Sequence, residues 1–85
     1  MNIVAGQIEL AVEKMNHGHW LRVTVPYTTN IIMTARLQNS KGEMLKTVKL
    51  VTGNNLIDIE MISDQNVSIR IDTPFEILLK ELVLR

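Results

Sequence analysis

Apolar and polar residues alternate along most of this chain, and a period of two places one set on each face of a pleated strand. Ile8, Leu10 and Val12 alternate with Glu9, Ala11 and Glu13, and Leu21, Val23 and Val25 alternate with Arg22 and Thr24. Both segments read as strands with one buried face. In a third, Ile31, Met33, Ala35 and Leu37 share a face against Thr34, Arg36 and Gln38, with Ile32 out of phase. The fourth sets Met44, Val48 and Leu50 inward, Lys46 in the same phase, and Leu45, Thr47 and Lys49 opposite. Ile57, Ile59 and Met61 against Asp58 and Glu60 predict a fifth strand, and Val67, Ile69 and Ile71 against Ser68 and Arg70 a sixth.

The last segment, F-E-I-L-L-K-E-L-V-L-R, carries two patterns at once. Ile77, Leu78, Leu79, Leu82 and Val83 would make a helical stripe, and the Leu and Glu content favours a helix. Pro74 and the regular spacing of the preceding strands predict instead a seventh strand, buried in part on both faces.

Turn residues separate the segments at Asn16 to Gly18, Thr28 to Asn30, Asn39 to Gly42, Gly53 to Asn55, Asp64 to Asn66 and Asp72 to Pro74. Seven short strands at a rhythm of about 10 residues predict an all-β antiparallel sandwich, in which each of two sheets hides one face against the other. In the turn Asn39-Ser40-Lys41-Gly42, the Asn39 side chain is expected to accept a backbone hydrogen bond from two residues on, and Gly42 to take the left-handed region that closes a hairpin.

Composition narrows the picture. Eighty-five residues make one domain, residues 1–85, and a chain of this size buries only about 60–65% of its unfolded surface. Apolar residues are 46% of the sequence, but Trp20, Tyr27 and Phe75 are its only aromatics, so the core must be aliphatic. With no cysteine, a disulfide framework and a thiolate metal site are excluded. Nine basic and nine acidic residues alternate along the chain, which predicts no nucleic acid partner and no anionic lipid partner. No apolar run approaches the ~20 residues of a membrane helix, so no membrane insertion is expected. The stretch M-N-I-V-A-G-Q-I-E-L has neither a basic leader nor an apolar core, so no signal peptide is read there. The expected location is the cytoplasm, or the cell surface or exterior if the chain is part of a secreted cargo.

Candidate chemistry is sparse. His17 and His19 form an H-x-H pair that would present two nitrogens on one side of an extended chain, without an identifiable third ligand. Asp58 and Glu60 share a strand face, as paired carboxylates for acid and base work would, yet their alternation with Ile57, Ile59 and Met61 reads as a solvated strand face. Ser40, Ser63 and Ser68 lie in no nucleophile motif, and Gly6, Gly18, Gly42 and Gly53 form no phosphate loop. Trp20 is out of phase with Leu21, Val23 and Val25 and is expected on the outer face, where an aromatic ring can pack at the rim or stack on a sugar; Tyr27 flanks the other end of the same strand. No catalytic residue, cofactor or metal site is expected, and the chain reads as non-enzymatic.

From Arg36 onward the order of features resembles the C-terminal sorting domain of type IX secretion cargo from Bacteroidota. The stretches A-R-L-Q-N-S-K-G-E-M-L-K-T-V-K-L, T-G-N-N-L-I-D-I-E-M, N-V-S-I-R-I-D and L-L-K-E-L-V-L-R carry it, with Gly42, Leu45, Gly53, Asn55, Ile57, Asp58, Arg70, Ile71, Lys80 and Val83 at matching positions. Asp64 to Ser68 stands where that family has Ser-Gly-Val-Tyr, and no Pro-Asn-Pro-like opening is present. The resemblance implies a seven-stranded antiparallel immunoglobulin-like β-sandwich and a non-catalytic sorting role, read by a translocation machinery.

The element expected to be recognised is the terminal strand, with Phe75, Ile77, Leu79, Lys80, Leu82, Val83, Leu84 and Arg85, because an edge strand offers unpaired backbone groups for strand addition. The alternative is a stand-alone assembly or adhesion protein that forms a homodimer through the same edge. A carbohydrate-binding module fits worst, since it needs a flat aromatic face.

Overall fold

The computed structural model describes residues 2–5, 7–16, 18–28, 30 and 32–84, the first four as backbone alone. These residues form β1 (Asn2–Ala5), β2 (Ile8–Met15), β3 (Gly18–Val25), β4 (Met33–Gln38), β5 (Met44–Leu50), β6 (Gly53–Asp58), β7 (Asn66–Asp72) and β8 (Ile77–Val83), with no helix among them. One sheet has the order β1-β2-β3-β6 and the other β5-β4-β7-β8, and every pairing is antiparallel. Each of the seven segments marked by alternation contributes to a strand, β2 to β8, but the fifth is displaced: Gly53 to Asn55, expected as a turn, open β6, and Ile59 to Met61 lie beyond its end. β1 is an addition at the edge of the first sheet. Its four residues are too few to show a period.

Registration aligns the apolar phases. Leu10 stands opposite Val23 and Leu21 opposite Ile57 in the first sheet; Ala35 stands opposite Ile71, Leu37 opposite Ile69, and Val67 opposite Leu82 in the second. All of them belong to one buried cluster drawn from both sheets, so the sheets meet face to face and exclude water between them. Burying a Leu, Ile or Val side chain contributes about 1.5–3 kcal/mol, and with so few aromatics this aliphatic layer is the main stabilising term. Ile31, expected on the same face, lies outside the described residues, and Ile32 is exposed.

Other expectations need correction as well. The terminal segment is a strand, but it is buried on one face alone. Leu82 is buried and Leu78 packs partly against the core, whereas Ile77, Leu79 and Val83 are 58%, 68% and 46% exposed. Phe75 precedes β8 in the turn after β7, and buried Leu84 follows it, its N–H donating to the Gln65 carbonyl at 2.7 Å.

Met44 does not face inward. The register passes from Leu37 opposite Lys46 to Gln38 opposite Met44, so Leu45 is an extra residue, a bulge. One inserted residue moves everything before it to the other face. Met44 therefore joins Gln38 on the outside at 51% exposure, while Leu45 tucks partly against the core.

Met61 does not extend the inward face of β6 either. Asp58 Oδ1 accepts the Glu60 N–H at 2.9 Å and the Ile59 carbonyl accepts the Ile62 N–H at 3.1 Å, which turns the chain away from the sheet. Ile59 and Ile62 stay buried, and Met61 swings out to 92% exposure.

Both edges of the second sheet carry a lysine in the inward phase. Lys46 on β5 stands opposite Leu37, and Lys80 on β8 opposite Ile69. The Lys46 stem reaches across so that Nζ donates to the Asp58 carbonyl of β6 at 2.8 Å, a tie between the sheets.

Candidate functional site

The β2–β3 hairpin and the end of β6 meet at a polar corner. Glu60 Oε2 accepts the His19 backbone N–H at 2.8 Å and lies 2.9 Å from His19 Nδ1. Gly18, at the start of β3, has φ +121°, and a Cβ there would sit 2.9 Å from Glu60 Oε2. The backbone angle favours glycine, and an added Cβ would push aside the Glu60 carboxylate, the end of a flexible side chain.

Gly18→Ala is therefore expected to cost about 2–3 kcal/mol in chemical denaturation, combining left-handed strain with the displaced carboxylate. In the Glu60→Ala background the same substitution should cost about 1 kcal/mol less, because only the backbone strain remains. Equal costs in both backgrounds would show that Glu60 does not occupy the space beside Gly18.

This corner is a clasp rather than a pair of catalytic carboxylates. Asp58 ends β6 while Glu60 lies in the following turn, so the two do not share a strand face as the alternation suggested. His17 lies outside the described residues, which leaves His19 with Glu60 as its acidic neighbour. Among the described residues no group of three His, Cys, Asp or Glu side chains could hold a metal ion. Both members of the pair are partly exposed, and such a surface contact contributes about 1 kcal/mol at most.

The turns that matched the sorting-domain pattern have explicit partners. Asn39 Oδ1 accepts the N–H groups of Lys41 and Glu43 at 2.9 and 3.0 Å, and Gly42 has φ +81°. Asn55 holds the crossing from β5 to β6: its Oδ1 accepts the Val51 N–H at 2.8 Å, and its Nδ2 donates to the carbonyls of Val51, Val23 and Gly53 at 2.8, 3.1 and 3.2 Å. It is the buried polar side chain of the described residues. Of the other matching positions, Arg70 pairs through Nε with Asp72 Oδ1 at 2.9 Å, while Arg36 approaches Asp72 Oδ2 at 3.4 Å, covering the outer face of β4 and β7 with charge.

Beside that charged surface the outer face of β8 is apolar. Leu79 stands opposite Arg70, Ile77 opposite Asp72 and Val83 opposite Asn66, with Glu81 between them opposite Ser68. Among the described residues β8 has no strand on its other side, so alternate backbone groups are free to bond outward. Lys80 is exposed and Arg85 lies outside the described residues.

Trp20 sits on the outer face of β3, half-buried, opposite Glu13 and Asp58. Tyr27 turns toward the chain's other end of the sandwich and meets Phe75 edge to face, with ring centroids 5.2 Å apart and planes at 80°. The two rings line a hollow of about 390 Å³ with Gln7, Ile8 and Glu76. Sequence reasoning did not join them, although each follows a proline in a loop, Pro26-Tyr27 and Pro74-Phe75. A second hollow of similar size is lined by Lys46, Asp58, Met61 and Asp64 among others. Ser40 lies in the β4–β5 turn, Ser63 between β6 and β7, and Ser68 on β7, separate places along the fold.

Comparison of the chain with protein-family models, with curated proteins and with solved structures finds no match.

Proposed function

We propose that this sandwich is a non-catalytic interaction module of the type IX sorting kind, recognised by a protein partner through β8. The observation that carries the reading is the combination of an unpaired edge with an apolar outer face, where Ile77 and Leu79 are 58% and 68% exposed. A strand laid along that edge gains main-chain hydrogen bonds for affinity and side-chain contacts at alternate positions for selectivity. Strand order supports an immunoglobulin-like assignment: β2, β3 and β6 take the places of A, B and E, and β4, β7 and β8 those of C, F and G, with β5 beside β4.

Self-association through the same edge is the second reading, and Lys80 weighs against it. In the antiparallel pairing that aligns two copies of β8 over their full length, Lys80 stands opposite Lys80, and like charges directly opposed destabilise a strand pair. A partner strand with an acidic residue at that position meets no such penalty.

Fusing residues 1–85 to the C-terminus of a folded reporter, in a bacterium that secretes by the type IX route, tests the assignment. Export of the fusion is expected, with an Ile77→Ser/Leu79→Ser double variant retained in the periplasm though folded. Retention of the folded parent fusion would reject the sorting role.

A further inference from the structure

We infer that the β8 edge takes an extended segment of a partner protein in antiparallel register, and that this segment carries a basic residue opposite Glu81 followed directly by an acidic residue opposite Lys80, among apolar neighbours. This chemistry rests on the reading of β8 as the recognised edge and narrows what that edge accepts.

The backbone fixes the phase. The Thr73 N–H donates to the Glu76 carbonyl at 3.0 Å and the Leu84 N–H to the Gln65 carbonyl at 2.7 Å, so bonded pairs close both ends of the ladder that sets Asn66 opposite Val83 and Asp72 opposite Ile77. Bonded and non-bonded pairs alternate in an antiparallel ladder. Leu78, Lys80 and Leu82 therefore bond to β7, while Ile77, Leu79, Glu81 and Val83 turn their N–H and carbonyl groups toward the free side. An added antiparallel strand bonds to those residues alone, and its side chains opposite them lie on the outer face.

Charge fixes the register. Lys80 and Glu81 are adjacent, exposed and of opposite sign, and successive residues of a strand project from opposite faces. The positions opposite Leu78, Lys80 and Leu82 become non-bonded pairs, where side chains approach most closely, and an acid there answers Lys80. A base answers Glu81 on the outer face. Exposed Ile77, Leu79 and Val83 offer apolar contact to the remaining outer positions. Sliding the segment by two residues breaks both charge pairs and sets its base against Leu79 or Val83.

The same phase disfavours a second copy of this chain. β8 itself contains a basic residue followed by an acidic one, Lys80-Glu81, but in a copy the free backbone groups again belong to Ile77, Leu79, Glu81 and Val83. In antiparallel pairing those residues meet only one another, so Glu81 never stands opposite a lysine. A segment with no β7 of its own is under no such restriction, and the occupant is thus an extended stretch of a different protein.

The probe is the segment Val-Thr-Lys-Glu-Val-Thr-Val, joined behind Arg85 of the full chain by a flexible Gly/Ser linker. A short tether holds it at millimolar effective concentration and lets it fold back antiparallel. Amide hydrogen exchange, followed by NMR, is expected to slow at least about 10-fold at Ile77, Leu79, Glu81 and Val83 relative to the untethered chain. The segment Val-Thr-Glu-Lys-Val-Thr-Val, equal in composition, sets Lys opposite Lys80 and Glu opposite Glu81, and should protect those amides about 10-fold less. The double variant Lys80→Glu/Glu81→Lys, changed at exposed positions, should reverse the preference, with slow exchange at Leu78 and Leu82 reporting an intact β7–β8 ladder throughout. Equal protection by the two segments would overturn the charge register and leave strand addition at β8 standing. Protection by neither would overturn both.

Discussion

Replacing Asn55 with Ala is expected to lower the unfolding free energy by about 2–4 kcal/mol, read from urea denaturation followed by Trp20 fluorescence. The side chain accepts the Val51 N–H through its oxygen and shares the two hydrogens of its amide among three carbonyls, of which the bond to Val23 is fully buried. Removing the amide takes its partner from the buried Val23 carbonyl and from the part-buried Val51 and Gly53 groups, and an unmet buried group costs more than the net value of a bond when present.

Asn55→Asp sharpens the test. It keeps the acceptor for Val51 but turns an oxygen toward three carbonyls in a buried position, so at neutral pH it should cost at least as much as Ala. Protonation of the introduced carboxyl restores a donor. The folded state of that variant binds the proton more tightly than the unfolded state, so its stability rises as pH falls. A loss below about 0.5 kcal/mol for Asn55→Ala would mean that the β5–β6 crossing holds itself without the amide.

The second large effect separates the two faces of β8. Leu82→Ala should cost about 2–4 kcal/mol, because Leu82 is buried opposite Val67 in the shared core, whereas Leu79→Ala should change stability by about 0.5 kcal/mol or less. A helix over this segment would place Leu79 and Leu82 on one stripe and make the two substitutions comparable. Similar losses from both would therefore contradict the strand.

That ambiguity shows what the sequence carries and what it withholds. β3, β4 and β7 were readable because strict alternation in Leu21-Arg22-Val23-Thr24-Val25 or Val67-Ser68-Ile69-Arg70-Ile71 leaves one face possible for burial. The terminal segment has apolar residues on both faces, and only the ladder to β7 selects strand over helix, a tertiary effect stronger than the helical preference of Leu and Glu. Met44 and Met61 misled for local reasons, a bulge at Leu45 and an Asp58-centred turn, each of which ends a period without changing residue type.

The sites were harder to read than the strands. Asn39 and Gly42 act within one turn and were visible as a spacing. The embrace of Glu60 by His19 and Gly18 was not visible, since it depends on β3 lying beside β6, an order that alternation does not encode. The same holds for Tyr27 and Phe75. Each loop looks ordinary by itself, and the corner they make exists only once the ends of both sheets are brought together.

The outward swing of Met61, with Met44 also on the exterior, decides where this protein meets oxidants. In a chain without thiols, thioethers are the readiest targets for peroxide, and the two most accessible ones among the described residues lie where a sulfoxide finds water rather than packed hydrocarbon. Met33, at 2% exposure, is the one whose conversion would force a polar group into the interior. The fold thus keeps its most vulnerable sulfur atoms where damage leaves the architecture intact.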